Sequence, residues 1–316
     1  MTSQLTDIAP IFMFGALRSG TTVFRLMLNA HEGLGNPGEV DFLFDFLHED
    51  ASHPTGWRYD LDAMRAHRIF KAHQLDTPEG CDGLDLLAHM IAQFDARVEG
   101  VLNMNVHRHA KRIATLIPKA RFLHLVRDPR DVARSSIGMG WAGNSYYGVD
   151  HWVETEEGWQ EAARILDPAQ VLELQFETLM GNLEEELRRV CAFIGVPFSP
   201  AMLEYYKAST YGPPDPKIAQ QWRRKAKPRE IALLEGKAGG MMTACGYARS
   251  TDPVLPGLLE RLFLSEQNRL LRWRFNINRF GFPLFAANHA TRLVGMKKLN
   301  ARLKERMDVK VIRTLK

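Results

Sequence analysis

A loop near the amino terminus, with the sequence GALRSGTT, has the residues and the spacing of a phosphate-binding site. Gly15, four intervening residues and Gly20 match the first part of the glycine-rich loop of nucleoside triphosphatases, and Thr22 stands at the magnesium-binding hydroxyl of that pattern. Thr21 replaces the lysine of the pattern, and Arg18 lies inside the loop. Backbone amides and an arginine can bind an anion without a metal ion. The loop is therefore predicted to bind a phosphate-like group in a setting unlike that of a triphosphatase.

A second cationic motif lies in LVRDPRDVARSS, where Arg127 follows an apolar run and Ser135 comes eight residues later. A guanidinium can bind a phosphate with two parallel hydrogen bonds. In triphosphatases an apolar strand that ends in an aspartate holds the magnesium ion. Here the best candidate, FLHLVRD, has Arg127 first at the strand end. A cation at this position favours the binding of an anionic group, and no metal ion is expected there.

Both motifs occur where an apolar strand is predicted to run into a helix. Residues 11–16 and 122–126 are apolar runs of strand length, and apolar residues at helical spacing follow the first of them. A third strand is predicted in QVLELQFETL, before an amphipathic helix in NLEEELRRVCAFIGV. This alternation predicts an α/β fold with a parallel sheet covered on both faces. Ligands bind beyond the carboxyl ends of such strands, where Arg18 and Arg127 are expected to emerge.

These motifs together resemble those of the sulfotransferases that use 3′-phosphoadenosine 5′-phosphosulfate (PAPS). LRSGTT is similar to the 5′-phosphosulfate loop of the tyrosylprotein and bacterial branches, in which an arginine stands where cytosolic members have a lysine. LVRDPRDVARSS is similar to the 3′-phosphate element. The segments LELQFETLMGNLEEELRRVCAFIGVPF and QQWRRKAKPREIALLEG…MMTACGY resemble later parts of the family, so the likeness covers roughly residues 10 to 250.

The resemblance implies a P-loop-like three-layer fold, with a central parallel sheet flanked by helices. It also implies a site for PAPS as co-substrate, with 3′,5′-adenosine bisphosphate (PAP) as the product and no metal. The residues that it places against the 5′-phosphosulfate are Arg18, Ser19, Gly20, Thr21 and Thr22, and those against the 3′-phosphate are Arg127, Ser135, Arg223 and Lys225. Ser136 is an alternative to Ser135. A solvated basic surface is the alternative reading of the run WRRKAKPR, which contains Arg223 and Lys225.

Transfer of a sulfuryl group to a hydroxyl needs donors for the charge on the leaving phosphate and an acceptor for the hydroxyl proton. Arg18 is predicted to supply hydrogen-bond donors for the leaving phosphate. Glu39, 21 residues after Arg18, lies at the base position of the tyrosylprotein branch. An exposed carboxylate without a catalytic role is the alternative for Glu39. His73, in a Lys-x-His segment with Lys71, is a minor candidate for the base.

The chain departs from the family near NMNVHRHAKR. Many relatives carry a lysine there that contacts the bridging oxygen, whereas this chain has Asn103 and Asn105, followed by His107 and His109. Either another cation replaces the lysine, with Lys71, Arg108 and Lys225 as candidates, or some activity has been lost. Whether His73 or His107 contributes to catalysis stays open at this point.

Other residues near these motifs have structural interpretations. Asp128 and Asp131 are expected to hold the segment around Arg127 in place. Two aromatic-rich segments, residues 42–46 (FLFDF) and 140–152 (GWAGNSYYGVDHW), are candidates for acceptor-binding loops, with core packing as the alternative.

The composition predicts one large globular domain with an appendage. The chain has 316 residues, of which 45% are hydrophobic and 25% charged. Residues 261–316 contain 14 Lys and Arg against 3 Asp and Glu, whereas the formal net charge of the whole chain is only +4. We therefore expect a sulfotransferase domain in residues 1–250 and a basic helical extension in residues 251–316. Three widely spaced cysteines without a CxxC motif, Cys81, Cys191 and Cys245, are expected to be buried thiols.

The first residues, MTSQLTDIAPIFMFG, lack the pattern of a secretion signal, and no window approaches 18 uninterrupted apolar residues. A cytoplasmic location is expected on these grounds. The extension interleaves arginines with aromatic residues, which is compatible with an anionic membrane surface. Packing on the domain or on a second subunit of a homo-oligomer is the alternative. No nucleic-acid partner is expected.

The sequence thus predicts an enzyme: a PAPS-dependent sulfotransferase that acts by in-line displacement with a carboxylate base. The acceptor is a hydroxyl-bearing carbohydrate, lipid or small molecule. A P-loop kinase-like phosphotransferase and a non-catalytic nucleotide-binding module are the alternatives.

Overall fold

The computed structural model describes residues 3–314. Its strands are β1 (Ile11–Phe14), β2 (Leu34–Gly35), β3 (Leu47–Glu49), β4 (Trp57–Tyr59), β5 (Val101–Val106), β6 (Arg121–Val126) and β7 (Val171–Gln175). Five of them form one sheet in the order β2-β5-β1-β6-β7, in which every neighbouring pair is parallel. The strands β3 and β4 form a separate antiparallel pair.

Helices connect the strands and form the carboxyl-terminal part of the described chain. They are α1 (Ser3–Asp7), α2 (Thr21–Asn29), α3 (Phe42–Asp45), α4 (Leu61–Ala66), α5 (Arg68–His73), α6 (Gly83–Asp95), α7 (Ala110–Leu116), α8 (Pro129–Gly138), α9 (Ser145–Gly148), α10 (Asp150–Ala163), α11 (Phe176–Gly181), α12 (Leu183–Ile194), α13 (Trp222–Lys225), α14 (Pro228–Ala244), α15 (Leu258–Phe280), α16 (Phe282–Leu293) and α17 (Lys297–Thr314). Short 3-10 helices span Pro168–Gln170, Pro200–Ala208 and Pro216–Ile218. The backbone of α14 is interrupted at Gly239, where φ is 57°.

The strands form because their apolar side chains are buried on both faces of the sheet. Successive residues of β1 alternate between two clusters. Phe12 and Phe14 pack with residues of α6, α7 and α10 on one face, whereas Ile11 and Met13 pack with residues of α2 and α12 on the other. The predicted α/β class, with a central parallel sheet flanked by helices, is confirmed.

The three predicted strand–helix units are present with small shifts in their bounds. The first strand ends at Phe14 instead of residue 16, because Gly15 already belongs to the turn into α2. The third strand ends at Gln175, since Phe176 begins α11. The predicted amphipathic helix is α12, which ends before Gly195, and the left-handed φ of 90° at this glycine explains why the helix stops there.

Two interpretations of single segments need correction. Phe42 and Phe44 in FLFDF are at most 1% exposed, so this segment is a core turn of helix and the acceptor-loop interpretation is wrong for it. Cys191 is buried as expected, whereas Cys81 and Cys245 are only partly buried; all three are free thiols.

The chain divides into two compact units. The first unit contains residues 1–129, 151–221 and 240–247, and it includes the whole central sheet. The second unit contains residues 130–150, 222–239 and 248–316, and therefore most of α8 and α14 and all of α15 to α17. The chain enters the second unit for the last time at residue 248, and the domain boundary at residue 250 stays a prediction. Within residues 3–314, no helix combines the length and the apolar character needed to cross a bilayer.

Candidate active site

The loop between β1 and α2 has an unusual backbone that depends on two close contacts. Arg18 and Gly20 both have left-handed conformations, with φ of 73° and 93°. A Cβ atom on Gly20 would lie 2.3 Å from Cε2 of Phe176, and one on Gly15 would lie 2.4 Å from the carbonyl oxygen of Leu125. Glycine is needed at these two positions because the chain approaches β6 and α11 too closely for a side chain.

Side chains from three other segments bind the carbonyl groups of this loop. The bonds are His107 Nδ1 to Gly15 O (2.7 Å), His151 Nε2 to Leu17 O (3.0 Å) and Arg127 Nη1 to Arg18 O (3.1 Å). A carbonyl oxygen only accepts hydrogen bonds, so both histidine nitrogens must carry the proton. Because the Ser19 amide also donates to Ala16 O inside the loop, the backbone groups available to a ligand are the amides at the start of α2.

The amide end of α2 and the side chain of Ser19 provide donors at the same place. The first amides of a helix have no intrahelical partner, and no side chain of the described residues caps α2. Ser19 is fully buried, and its hydroxyl finds no hydrogen-bond partner within residues 3–314. Buried hydroxyls are normally hydrogen-bonded, and helix amino termini attract anions. The loop therefore fits a phosphate-like group.

Arg127 lies against the same loop. Its guanidinium donates from Nη1 to Arg18 O and from Nη2 to Ile218 O (2.9 Å), and it stacks 4.4 Å from the centre of the Phe176 ring. The two arginines come together because β1 and β6 are parallel neighbours whose carboxyl ends meet at one edge of the sheet. The structure thus brings Arg18, Ser19, Gly20 and Arg127 together in the first unit.

The other predicted 3′-phosphate residues, Ser135, Arg223 and Lys225, belong to the second unit. Ser136 is fully buried and its hydroxyl donates to Val132 O at 2.9 Å, whereas Ser135 is only partly buried. This difference favours Ser135 over Ser136 as the ligand-binding hydroxyl.

The helix α13, which carries Arg223 and Lys225, is joined to α8 within the second unit. The amide of Trp222 donates to Asp131 Oδ1 at 2.9 Å, and the Arg130 guanidinium lies 3.7 Å from the centre of the Trp222 ring. Arg134 Nη1 donates to the carbonyl of Lys225 at 3.1 Å. The structural role predicted for Asp131 agrees with these contacts.

Glu39 is held beside β5 by a network of asparagines. Asn36 Nδ2 donates to Oδ1 of Asn103 and, at 2.8 Å, to Oδ1 of Asn105. The backbone of residues 38–40 also pairs with Asn105, whose amide donates to Gly38 O and whose carbonyl accepts from the Val40 amide. Asn103 and Asn105 are buried and occupied by these contacts. In this chain the two asparagines position the candidate base.

The carboxylate of Glu39 lies near the ring of His107. Oε1 of Glu39 is 3.7 Å from Nε2 of His107, too long for a hydrogen bond but close enough for electrostatic attraction. His107 holds the pKa of Glu39 below its usual value. Burial alone would lower the pKa of His107, but Glu39, Asp41 and the Gly15 carbonyl outweigh burial, so this pKa is raised. Glu39 is 48% exposed, while His107 is almost fully buried.

Glu39 opens onto a cleft of about 300 Å³ that also includes Thr22 from the loop. His73 lines the same cleft, and burial lowers its pKa. Lys71 is exposed on α5. Arg108, a candidate for the missing cation, is instead engaged with Asp45 through two hydrogen bonds of 3.0 and 2.7 Å.

Sequence reasoning missed the roles of Asn36 and His151 and gave His107 too little weight. A signal for the asparagine network was present, because two polar residues alternate in the otherwise apolar strand VLNMNV and so lie on one face. The partners of His151 and His107, by contrast, are backbone carbonyls, which no side-chain pattern reveals.

A parallel sheet with a glycine-containing anion loop after its central strand defines a P-loop-like α/β protein. The chain belongs to the sulfotransferase family, whose sequence profile matches residues 10–200. It is 24% identical over 248 residues to the protein-tyrosine sulfotransferase of Drosophila melanogaster, covering 72% of this chain and 47% of the relative. It is 29% identical over 129 residues to the omega-hydroxy-beta-dihydromenaquinone-9 sulfotransferase of Mycobacterium tuberculosis, covering 33% of each chain. The match thus spans less than half the length of these two relatives.

Among solved structures, the sulfotransferase domain of the Synechococcus PCC 7002 olefin synthase has the same fold. The TM-score is 0.59 at 21% identity, over 77% of this chain and 97% of that domain. At this identity the likeness concerns the fold.

Proposed function

We propose that this protein transfers a sulfuryl group from PAPS to a hydroxyl group of an acceptor. The observation that carries the proposal is the loop after β1, whose carbonyls are held by His107, His151 and Arg127 while a buried Ser19 hydroxyl lacks a partner in the described chain. These features suit a phosphate-like group placed between the loop amides and a guanidinium. Both curated relatives are named for transfer to a molecule with a hydroxyl group, tyrosine in one and an omega-hydroxy menaquinone in the other.

The residues proposed to bind PAPS fall into two groups, one for its 5′-phosphosulfate and one for its 3′-phosphate. Ser19, Gly20, Thr21 and Thr22, together with Arg18, bind the 5′-phosphosulfate in this proposal. Arg127 binds the 3′-phosphate, and for Ser135, Arg223 and Lys225 the same role rests on the family resemblance alone. When bound, PAPS supplies the sulfuryl group. Hydrogen-bond donors aimed at the leaving phosphate are worth about 3 to 4 kcal/mol each, which sets the expected loss of activity for Arg18→Ala.

Glu39 accepts the proton of the acceptor hydroxyl. It is half-exposed on the wall of the cleft that Thr22 also lines, so a hydroxyl can approach it from solvent. The lowered pKa of Glu39 keeps the carboxylate ionised at neutral pH. His107 positions the base and connects it to the loop between β1 and α2, which we call the donor loop because it is proposed to bind PAPS. The same ring binds Gly15 O through Nδ1 and faces Glu39 through Nε2.

Calorimetry with PAP tests the donor site. We expect wild-type protein to bind PAP without a metal ion, and Arg127→Ala to bind it more weakly by roughly 2 to 5 kcal/mol. Ser135→Ala should lose a smaller part of the affinity. Ser136→Ala is the matched control, since its hydroxyl is used inside α8, and it should bind PAP like the wild type.

Three outcomes would contradict the proposal. Equal PAP affinity in wild type and Arg127→Ala would remove the 3′-phosphate assignment. Magnesium-dependent binding of ATP in place of PAP would favour a kinase-like phosphotransferase. Tight PAP binding without product from any hydroxyl acceptor would favour a nucleotide-binding module.

We also propose that the basic extension contacts an anionic membrane surface. Its support is the net positive charge of residues 261–316 together with large exposed apolar side chains on α15. Self-association through the same surface is the competing possibility.

A further inference from the structure

The cleft beside Glu39 contains two arginines that the proposed reaction does not use. Arg25 lies on α2 and Arg68 is the first residue of α5, and both line the cleft with Thr22 and Glu39. Neither arginine has a hydrogen bond or an ion-pair partner in the part of the chain that the structure describes. Both still act on Glu39 through space, because each contributes to lowering the pKa of that carboxylate.

The two arginines line the cleft from two different helices. Thr22 and Arg25 are three residues apart on α2, so they share one face of the helix, with Arg25 about one turn farther from the donor loop. Arg68 and Ala72 are likewise one turn apart on α5, and both line the cleft. Glu39 belongs to the segment between the two helices. A molecule whose hydroxyl reaches Glu39 therefore enters a cleft that both arginines line.

The charge of the cleft favours an anion. Its ionisable lining residues in the described chain are Arg25, Arg68, Glu39 and His73. Burial lowers the pKa of His73, so this ring is neutral at pH 7. Two positive charges then face one carboxylate, and neither guanidinium is neutralised by a partner within residues 3–314. Guanidinium groups of this kind at the wall of a cleft are suited to bind carboxylate or phosphate oxygens.

We propose that the acceptor carries an anionic oxygen group, a carboxylate or a phosphate, near the hydroxyl that receives the sulfuryl group, and that Arg25 and Arg68 bind this group. The inference rests on the proposed sulfotransfer and adds the chemical class of its acceptor. A neutral alcohol would leave both guanidiniums without an anionic partner in the cleft, whereas an anionic acceptor binds them and is oriented by them. Orientation matters because the hydroxyl must lie in line with the leaving phosphate.

The test measures binding of matched hydroxyl compounds to protein saturated with PAP, in a buffer without phosphate or sulfate. One pair is 4-hydroxyphenylacetate and its neutral amide, 4-hydroxyphenylacetamide; the other is glycerol 3-phosphate and glycerol. The two pairs distinguish a carboxylate from a phosphate as the preferred group. Wild-type protein should bind the anionic member of at least one pair at least about tenfold more tightly than the neutral member. Higher salt should reduce this preference.

The variants are Arg25→Gln, Arg68→Gln and the double variant, with Arg164→Gln as the control. Arg164 is an exposed arginine of the first unit outside the cleft. Each cleft variant should weaken binding of the anion by about tenfold to a hundredfold, the usual range for a charged hydrogen bond. Binding of the neutral member and of PAP, and the melting temperature, should stay at wild-type values. The double lysine variant, R25K/R68K, should restore part of the anion affinity.

Three results would overturn the inference. The first is equal or absent binding of the anionic and neutral members by wild-type protein that binds PAP. The second is weaker PAP binding in Arg25→Gln or Arg68→Gln, which would assign these arginines to the donor. The third is an equal loss of anion affinity in Arg164→Gln. Failure of wild-type protein to bind PAP at all would instead contradict the proposed function, so the two failures are distinguishable.

Discussion

The pair formed by Glu39 and His107 makes a prediction about pH. The pKa of Glu39 is lowered from 4.5, so this carboxylate stays ionised to a pH below that value. Because Glu39 is the proposed base, we expect activity to persist over the same range. Replacing His107 with glutamine removes the largest cause of the lowering, and the acidic limb of kcat/KM should then move upward. At pH values above the acidic limb, Glu39→Gln should reduce kcat by roughly a hundredfold to ten-thousandfold, the usual contribution of a general base. The measurement is the pH profile of sulfate transfer.

Asp41 provides the control for this profile. It accepts a hydrogen bond from the backbone amide of His107 at 2.8 Å, and burial raises its pKa. Asp41→Asn keeps the hydrogen-bonding shape and should leave the acidic limb closer to that of the wild type than His107→Gln does. An unchanged limb in His107→Gln would contradict the pairing of His107 with Glu39.

The positions of single site residues are predictable to different degrees. The sequence predicts Arg18 and Arg127 at one edge of the sheet, and the structure places them in contact, because adjacency of parallel strands follows from the strand–helix pattern. The asparagines near the missing family lysine, by contrast, look from the sequence like the loss of a cation. Their role depends on Asn36, 67 residues earlier than Asn103, and a pairing of this length has no local signal. Contacts with backbone carbonyls are equally invisible in a sequence.

At the scale of structural elements, the close packing of the donor loop against α11 depends on Gly20. A Cβ atom at Gly20 would overlap the Phe176 ring, and its φ of 93° also disfavours any other residue. Gly20→Ala should therefore displace the loop, weaken PAP binding at least about tenfold and reduce stability by about 1 to 3 kcal/mol. Gly56→Ala is the control, since Gly56 has a φ of 75° but nothing within 4 Å of the place that an added Cβ atom would take.

The two variants separate strain from overlap. Gly56→Ala should lose stability through backbone strain while PAP binding stays normal. If Gly20→Ala bound PAP like the wild type, the close approach of the loop to α11 would have no part in forming the donor site. Calorimetry with PAP gives the binding affinity of each variant, and thermal unfolding gives its stability.

Three elements of the first unit meet at His124, which is buried among carboxylates. From β6, its ring contacts Glu173 of β7 through Nδ1 at 2.6 Å and Glu156 of α10 through Nε2 at 3.0 Å. Burial alone would lower the pKa of His124, but the two carboxylates raise it from 6.5 to about 9. Because the folded pKa is higher than the unfolded one, this contribution to stability is complete below pH 6.5 and is lost as the pH rises through 9.

The corresponding prediction concerns the melting temperature. The difference in melting temperature between wild type and His124→Gln should be largest near pH 6 and should shrink by several degrees toward about pH 9.5. His48→Gln, at an exposed histidine of β3, should follow the wild type across this range. A difference that stays constant with pH would show that His124 is not charged in the folded protein.

At the scale of the whole molecule, the boundary of the basic region does not coincide with the boundaries of the two compact units. The sequence separates a basic extension after residue 250 from the rest, and this contrast of 14 basic to 3 acidic residues in 261–316 is visible in composition alone. The second compact unit also includes residues 130–150 and 222–239, which composition does not distinguish. Glu235 shows why: it is fully buried and accepts hydrogen bonds from Arg130, Ser250 and Thr251, so distant segments converge on one side chain.

The surface of α15 leads to a prediction about membranes. One side of this helix is fixed to residues 143–144, because Asn144 Nδ2 donates to Leu264 O at 2.8 Å and the Gly143 amide donates to Asn268 Oδ1 at 2.7 Å. Elsewhere on the helix, large apolar side chains are exposed, namely Leu259 (82%), Leu262 (56%), Phe263 (65%) and Leu270 (57%). Apolar side chains among basic residues suit an anionic lipid surface, whereas two copies of so basic a segment would repel each other.

Vesicle sedimentation tests this surface on the full-length chain. Wild-type protein should sediment with vesicles that contain phosphatidylserine, less so with phosphatidylcholine alone, and less at high salt. The triple variant L259Q/L262Q/L270Q should lose most of this binding, while Ile165→Gln, at an exposed apolar residue of the first unit, should keep it. If the triple variant instead changed the oligomeric state in light scattering and left vesicle binding intact, α15 would be a contact between subunits, because the same apolar side chains would then be covered by protein.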